Sequence, residues 1–87
     1  MSKRNNTTYA AQRARILAAL IERSARGLTT IEMREELDVM SPAPRVLELR
    51  ELGHQIQTVW TVSENAQGNN HRNARYVLIN IAEGVAA

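Results

Sequence analysis

The chain has 87 residues, of which 44% are hydrophobic and 23% charged, with no cysteine and a formal net charge of +2. This is typical of one globular domain, and the missing cysteines exclude disulfides, thiolate metal ligands and a cysteine nucleophile. Two histidines without metal-binding spacing, and no nucleophile-elbow or phosphate-loop motif, lead us to expect neither an enzyme nor a cofactor or metal site.

The N-terminal part of the sequence is its most basic part. Residues 1–7 are polar and predict a flexible basic arm. Over residues 8–25 apolar side chains recur at helical spacing, which predicts the first helix. Thr7 or Thr8 is its expected N-cap, and Gly27 is the expected stop after its last turn.

A second helix is predicted from Thr29 to Asp38. Thr29 and Glu32 have the spacing of a capping box, in which a hydroxyl and a carboxylate each accept a hydrogen bond from the other residue's backbone amide. Leu28 and Thr29 form a brief extended link before it. Residues 27–53 hold three basic and six acidic residues, a net charge of −3, so this part is not where we expect contact with a polyanion.

The third helix has the clearest start signal in the chain. Serine at the N-cap followed by proline at the first helical position predicts a helix from Pro42 to Leu52, ending before Gly53. Its spacing places four residues on the face that packs against the core. They are Pro42, Val46, Leu49 and Leu52.

After Gly53 the hydrophobic period changes from that of a helix to that of a strand. Residues 54–62 and 74–81 predict two strands joined by a long polar turn. We expect Trp60 to oppose Tyr76 and to pack in the core.

The reverse face of this hairpin is then an apolar strip. Either the first helix or a flexible tail (residues 82–87) covers it, or it is the interface of a homodimer. The strip consists of Val59, Val77, Ile79 and Ile81.

The order helix, helix, tight turn, helix, hairpin resembles the small winged helix-turn-helix domains of bacterial and phage regulators, in particular short proteins encoded in prophages. The resemblance covers Gln12 to Asn80 and rests on the run ILAALIERSARGLTTIEMREEL, the turn and helix MSPAPRVLELRELGHQI, and the strand ARYVL. It implies an α+β fold, with three helices followed by a two-stranded antiparallel wing, over residues 8–81.

The resemblance also implies a double-stranded DNA partner and no cofactor. In such domains the third helix enters the major groove, and the wing touches the backbone or the minor groove. By position, the implied contacts at the start of the second helix are Thr29 and Thr30, and those on the third helix are Ser41, Ala43, Pro44, Leu47 and Glu48. Arg45 and Arg50 flank that face, and the wing tip offers Asn69, Asn70, His71, Arg72 and Arg75.

The third helix departs from the usual pattern, because it offers few of the side chains that read purine edges. Leu47 suits a thymine methyl group and Glu48 a cytosine amine, whereas Glu48 and Glu51 repel phosphates. Two classes of function stay open: a DNA-binding regulator of transcription or of phage functions, and a protein-interaction module for assembly or as an adaptor. The sequence has no run of the ~20 apolar residues that cross a bilayer, so we expect a cytoplasmic protein.

Overall fold

The computed structural model describes residues 7–64 and 67–82, without the side chains of residues 63, 64 and 71. The predicted arm (1–7) and tail (82–87) therefore lie outside the described residues except for Thr7 and Ala82. The elements, in chain order, are α1 (Tyr9–Arg23), a 3₁₀ turn (Ser24–Arg26), β1 (Leu28–Thr29), α2 (Thr30–Leu37), α3 (Pro42–Glu51), β2 (Gln55–Glu64) and β3 (Asn70–Asn80). The predicted α+β arrangement of three helices followed by an antiparallel hairpin is confirmed. We call the hairpin β2–β3 the wing.

The helix starts follow the predicted local signals. The Thr8 hydroxyl accepts from the Ala11 amide at 3.1 Å. The capping box is present: Glu32 N donates to the Thr29 hydroxyl at 3.1 Å, and Thr29 N donates to Glu32 Oε1 at 2.9 Å. Ser41 precedes α3 as predicted, but its side chain makes no capping hydrogen bond.

The first helix ends two residues earlier than predicted. Ser24 has φ +54°, which turns the chain out of α1 and into the 3₁₀ turn. Gly27 follows with φ +70° and passes so close to β3 that a Cβ atom on it would lie 2.4 Å from the Tyr76 carbonyl oxygen and 2.8 Å from Val77 Cγ2. Glycine is therefore required where the chain enters β1.

The sheet has the order β1-β3-β2, so β3 is central. Thr58 lies opposite Tyr76 and Trp60 opposite Ala74, so the predicted pairing of Trp60 with Tyr76 is wrong by two residues. A shift of two keeps each side chain on its predicted face. The register differs from the prediction because β3 begins at Asn70 rather than at Ala74, so that the turn between the two strands of the wing is shorter than predicted.

Apolar side chains from all three helices and the sheet meet in one core. The fully buried ones include Ile16, Leu20, Leu28, Met33, Val39, Val46 and Leu49. Two predicted core residues are not buried, since Leu52 is 59% exposed and Trp60 is 56% exposed. Leu52 lies past the end of α3, and at about 100° per residue it has rotated off the face of Val46 and Leu49. Trp60 lies on the outer strand of the wing, opposite Ala74, with the Arg72 guanidinium over its ring.

No helix within residues 7–64 and 67–82 is long and apolar enough to cross a membrane.

Candidate nucleic-acid interface

One concave surface lies between the start of α2, the start of α3 and the wing. It encloses about 610 Å³. We call it the cleft. Its rim is formed by Thr30, Ile31, Arg34, Met40, Ser41, Ala43, Pro44, Trp60, Arg72 and Asn73, and its floor by Pro42, Ala74 and Tyr76.

The cleft brings together five of the residues that the sequence singled out for DNA contact. They are Thr30, Ser41, Ala43, Pro44 and Arg72. The Thr30 hydroxyl donates to the Ala74 carbonyl oxygen at 3.4 Å, which ties the start of α2 to β3. Thr29 does not line the cleft, and its hydroxyl accepts from the Glu32 amide in the capping box. Leu47 is 54% exposed on α3, one turn beyond Ala43.

Arg72 is placed by a contact with Trp60. The Arg72 guanidinium carbon lies 4.4 Å from the centroid of the Trp60 ring, and both side chains are exposed. A cation–π contact at an exposed site is worth about 0.5–1 kcal/mol. The indole therefore holds the guanidinium at the rim of the cleft.

Arg45 is turned away from the cleft. It is 6% exposed, with its guanidinium carbon 3.5 Å from the centroid of the Tyr9 ring and its Nη2 donating to Glu48 at 2.8 Å. Glu48 also accepts from Arg13 Nη1 at 2.8 Å. Arg45 and Glu48, both predicted to contact DNA, thus connect α3 to α1. Beside them, Thr7 lies with Tyr9, Ser41 and Pro44 around a shallow depression.

Arg50 and Arg75 also have contacts away from the cleft. Arg50 donates to the Ile56 carbonyl oxygen at 2.9 Å from Nε and 2.7 Å from Nη2, and so connects α3 to β2. Arg75 Nη1 donates to the Arg26 carbonyl oxygen at 2.8 Å. Arg75 lies three residues from Arg72 in one strand, so the two side chains are on opposite faces of the sheet.

The remaining predicted wing-tip residues lie away from the cleft or outside the described part. Asn69 and Asn70 are exposed at the start of β3 but do not line the cleft. The side chain of His71 lies outside the described residues.

Sequence reasoning missed Arg34, Ile31, Met40 and Trp60 as parts of this surface. Arg34 Nε donates to the Met40 carbonyl oxygen at 3.3 Å, which brings a basic side chain of α2 beside the start of α3. Ile31, Met40 and Trp60 are 48%, 70% and 56% exposed. An apolar residue inside a helical or alternating pattern predicts burial, so no local signal distinguished these three from core residues.

Three carboxylates of α2 and α3 are engaged by arginines that do not line the cleft. Glu36 and Glu32 lie 2.6 and 3.4 Å from the Arg23 guanidinium. The pKa of Glu32 is lowered by the hydrogen bond from the Thr29 backbone N–H and by Arg23. The pKa of Glu48 is lowered by its hydrogen bonds from Arg13 and Arg45. Among the described residues, those lining the cleft include two arginines and no acidic residue.

These ion pairs predict a loss of stability in acid. A carboxylate whose pKa is lower in the folded chain than in the unfolded chain stabilises the fold at any pH above its ordinary pKa of 4.5. This contribution is lost as the pH falls through the pKa that the carboxylate has in the folded chain. We expect Glu48→Gln to lower the melting temperature at neutral pH. At a pH below the pKa of Glu48 in the folded chain, the variant and the wild type should have similar melting temperatures. Thermal melts followed by circular dichroism across pH measure this, with Glu22→Gln, an exposed carboxylate of α1, as the control. A pH-independent difference between Glu48→Gln and the wild type would contradict the ion-pair interpretation.

The chain matches a known family of protein domains. A family model described as a winged helix-turn-helix domain matches residues 11–81, most of the chain. Comparison with curated proteins and with solved structures gave no match.

Proposed function

This chain belongs to the winged helix-turn-helix family, and from this membership we propose that it binds duplex DNA through the cleft and the exposed face of α3. The start of α3 would enter the major groove, and the wing would follow the sugar-phosphate backbone. The proposed role is that of a regulator of transcription or of prophage functions, the class of protein that the sequence resembles.

The distribution of charge at the cleft is the observation that carries this proposal. Arg34 and Arg72 stand on opposite sides of the cleft, and no carboxylate lines it among the described residues. Glu48, which the sequence placed on the DNA-facing side, is neutralised by Arg13 and Arg45 instead. A duplex brings about one negative charge per 1.7 Å of its axis, and arginines without competing carboxylates match such a surface.

The exposed face of α3 favours apolar contacts with bases. Ala43, Pro44 and Leu47 offer methyl and methylene groups and no side-chain hydrogen-bond donor. Of the groups in the major groove, the thymine methyl is the one that such side chains contact. We therefore propose that affinity comes mainly from phosphate contacts and that sequence preference is modest.

A titration of the full chain with a fluorescent duplex of random sequence tests the proposal. We expect binding at low salt that weakens steeply as salt rises, because each neutralised phosphate releases a counterion. Non-specific DNA binding commonly has a Kd of about 10⁻⁴–10⁻⁶ M, so the absence of binding in this range would overturn the proposal.

A charge-matched pair of variants shows whether the cleft is the binding surface. Arg34→Ala removes a rim arginine, whereas Arg26→Ala removes an exposed arginine that does not line the cleft. We expect Arg34→Ala to weaken binding several-fold and Arg26→Ala to change it little, measured as Kd under the same salt conditions. An equal loss in both would mean that only total charge matters.

The exposed apolar residues at the cleft favour a second candidate function. Ile31, Met40 and Trp60 supply an apolar lining of the kind found at the centre of protein interfaces. If the titration shows no DNA binding, a protein-interaction module for assembly or as an adaptor becomes the better interpretation.

A further inference from the structure

The outer edge of the wing is a long strand without a neighbour. β2 runs from Gln55 to Glu64 and pairs with β3 on one side only. Within the described part of the chain, no strand pairs with its other side. An unpaired strand edge carries a row of backbone donors and acceptors that another strand can use.

Three contacts establish which residues of β2 direct their backbone groups outward. The Ile56 carbonyl oxygen accepts from Arg50 of α3. On β3, the Ala74 carbonyl oxygen accepts from Thr30 on the far side of that strand, and the Asn73 carbonyl oxygen accepts from the Thr61 hydroxyl on β2. In an antiparallel pair, residues alternate between those bonded to the partner and those turned away. The residues of β2 turned outward are therefore Ile56, Thr58, Trp60 and Val62.

Protection of this edge is confined to its base. Arg50 donates to the Ile56 carbonyl oxygen at 2.7 Å and to the Thr58 hydroxyl at 2.8 Å, so its guanidinium covers the edge as far as the Thr58 side chain. Proteins blunt exposed edges with charges, prolines and bulges. From Thr58 to Val62 the sequence has no charge, proline or glycine, and Trp60 and Val62 are 56% and 65% exposed. Arg50 therefore covers the start of this edge, whereas among the described residues no such feature protects the edge between Thr58 and Val62.

We propose that a second copy of this chain pairs with this edge, β2 against β2, antiparallel about a two-fold axis at Trp60. In this register Trp60 lies opposite Trp60 of the other copy, and Thr58 lies opposite Val62. All three are outward-directed residues, so each contributes its N–H and its C=O to the new ladder. No other occupant is required, because the edge is complementary to itself.

The side chains and the size of the contact fit this pairing. Two tryptophans facing each other across strands add the favourable aromatic pair energy of a sheet. A ladder limited to Thr58–Val62 buries less than the about 1,200 Å² of a stable interface, so we expect a weak dimer that forms at high protein concentration.

The pairing has a consequence that rests on the proposed function. A two-fold axis perpendicular to a sheet leaves the same face of both copies on the same side. Both clefts, each with its own Arg72, then open toward one duplex and increase the number of phosphate contacts.

Sedimentation equilibrium of the full chain without DNA, from micromolar to millimolar protein, tests the pairing separately from the proposed function. We expect the average mass to rise from 9.8 kDa toward twice that value. The single tryptophan of the chain lies at the axis, so its emission should shift over the same range. A monomer at all concentrations would overturn the inference.

Two variants identify the contact. Val62→Pro removes an outward N–H without removing a hydrogen bond to β3, and its ring blocks the partner strand. Ile79→Lys places a charge on the apolar strip of the reverse face and leaves the edge intact. We expect Val62→Pro to be monomeric and Ile79→Lys to associate like the wild type; the opposite result would overturn the inference.

Amide hydrogen exchange of the wild type provides the measurement that needs no folded variant. The Thr58 and Trp60 amides should exchange more slowly in concentrated than in dilute protein. Rates that do not depend on concentration would overturn the inference even if Val62→Pro fails to fold.

Discussion

Arg72→Ala is expected to weaken binding to every duplex about tenfold, whereas Arg75→Ala is expected to leave the Kd nearly unchanged. The loss corresponds to one hydrogen bond between charged groups, worth about 1.5 kcal/mol or more. The difference arises because Arg72 lies at the cleft against Trp60, and Arg75 lies on the other face of β3 with its guanidinium bonded to the Arg26 carbonyl. The measurement is a duplex titration at several salt concentrations, in which Arg72→Ala should also reduce the slope of log K against log salt by about 1.

Arg75→Ala is the matched control for this experiment, since it removes the same charge from the same strand. Arg72→Lys adds a further comparison, because lysine keeps the charge but loses the planar group that stacks on Trp60. We expect Arg72→Lys to fall between the wild type and Arg72→Ala. If Arg72→Ala and Arg75→Ala lose affinity equally, the cleft is not the surface that faces the duplex.

Gly27→Ala is expected to destabilise the fold by about 2–5 kcal/mol, a large part of the about 5–15 kcal/mol that stabilises a typical domain. A left-handed backbone costs an L-residue about 1–2 kcal/mol, and forcing an extra methyl into a packed site costs about 1–3 kcal/mol. At φ +70° the new Cβ would lie 2.4 Å from the Tyr76 carbonyl oxygen, which belongs to the central strand and cannot move alone. Urea unfolding followed by circular dichroism measures the change.

Gly53→Ala separates the energetic cost of the positive φ from the cost of the close contact made by the added Cβ. Gly53 also has positive φ, at +104°, but among the described residues a Cβ there would meet only Ala82, with its nearest atom at 3.0 Å. We expect Gly53→Ala to lose less stability than Gly27→Ala, because the new Cβ would meet a methyl group at 3.0 Å rather than a backbone oxygen at 2.4 Å. Equal losses would show that backbone strain alone acts at Gly27.

The helix starts were predictable from sequence because their signals are local. Thr29 and Glu32 form a complete capping box within four residues, and Pro42 marks the first residue of α3. The sheet register was not predictable, because it depends on where the wing turn closes, and the polar segment from Asn70 gave no sign that it continues the strand. The two-residue strand β1 was expected only as an extended link, since its partner in β3 lies far along the sequence.

The composition of the candidate site was predictable only in part. Thr30, Ser41 and Arg72 reach the cleft because the fold class fixes which helix ends face the wing. The direction of a long side chain depends on its tertiary partners, which the sequence does not show. Arg45 is held by Tyr9 and Glu48, while Trp60 is exposed although its place in the strand alternation predicted burial.

The seating of Tyr9 on Arg45 has a practical consequence for handling this protein. Thr7 lies with Tyr9 beside Ser41 and Pro44, two residues of the rim of the cleft. Ala82, by contrast, donates to His54 Nδ1 at 3.1 Å, at the far end of α3, about 15 Å away along a helix of ten residues. A fluorophore attached through Thr7→Cys would therefore crowd an incoming duplex, whereas one attached through Ala82→Cys would leave its approach clear.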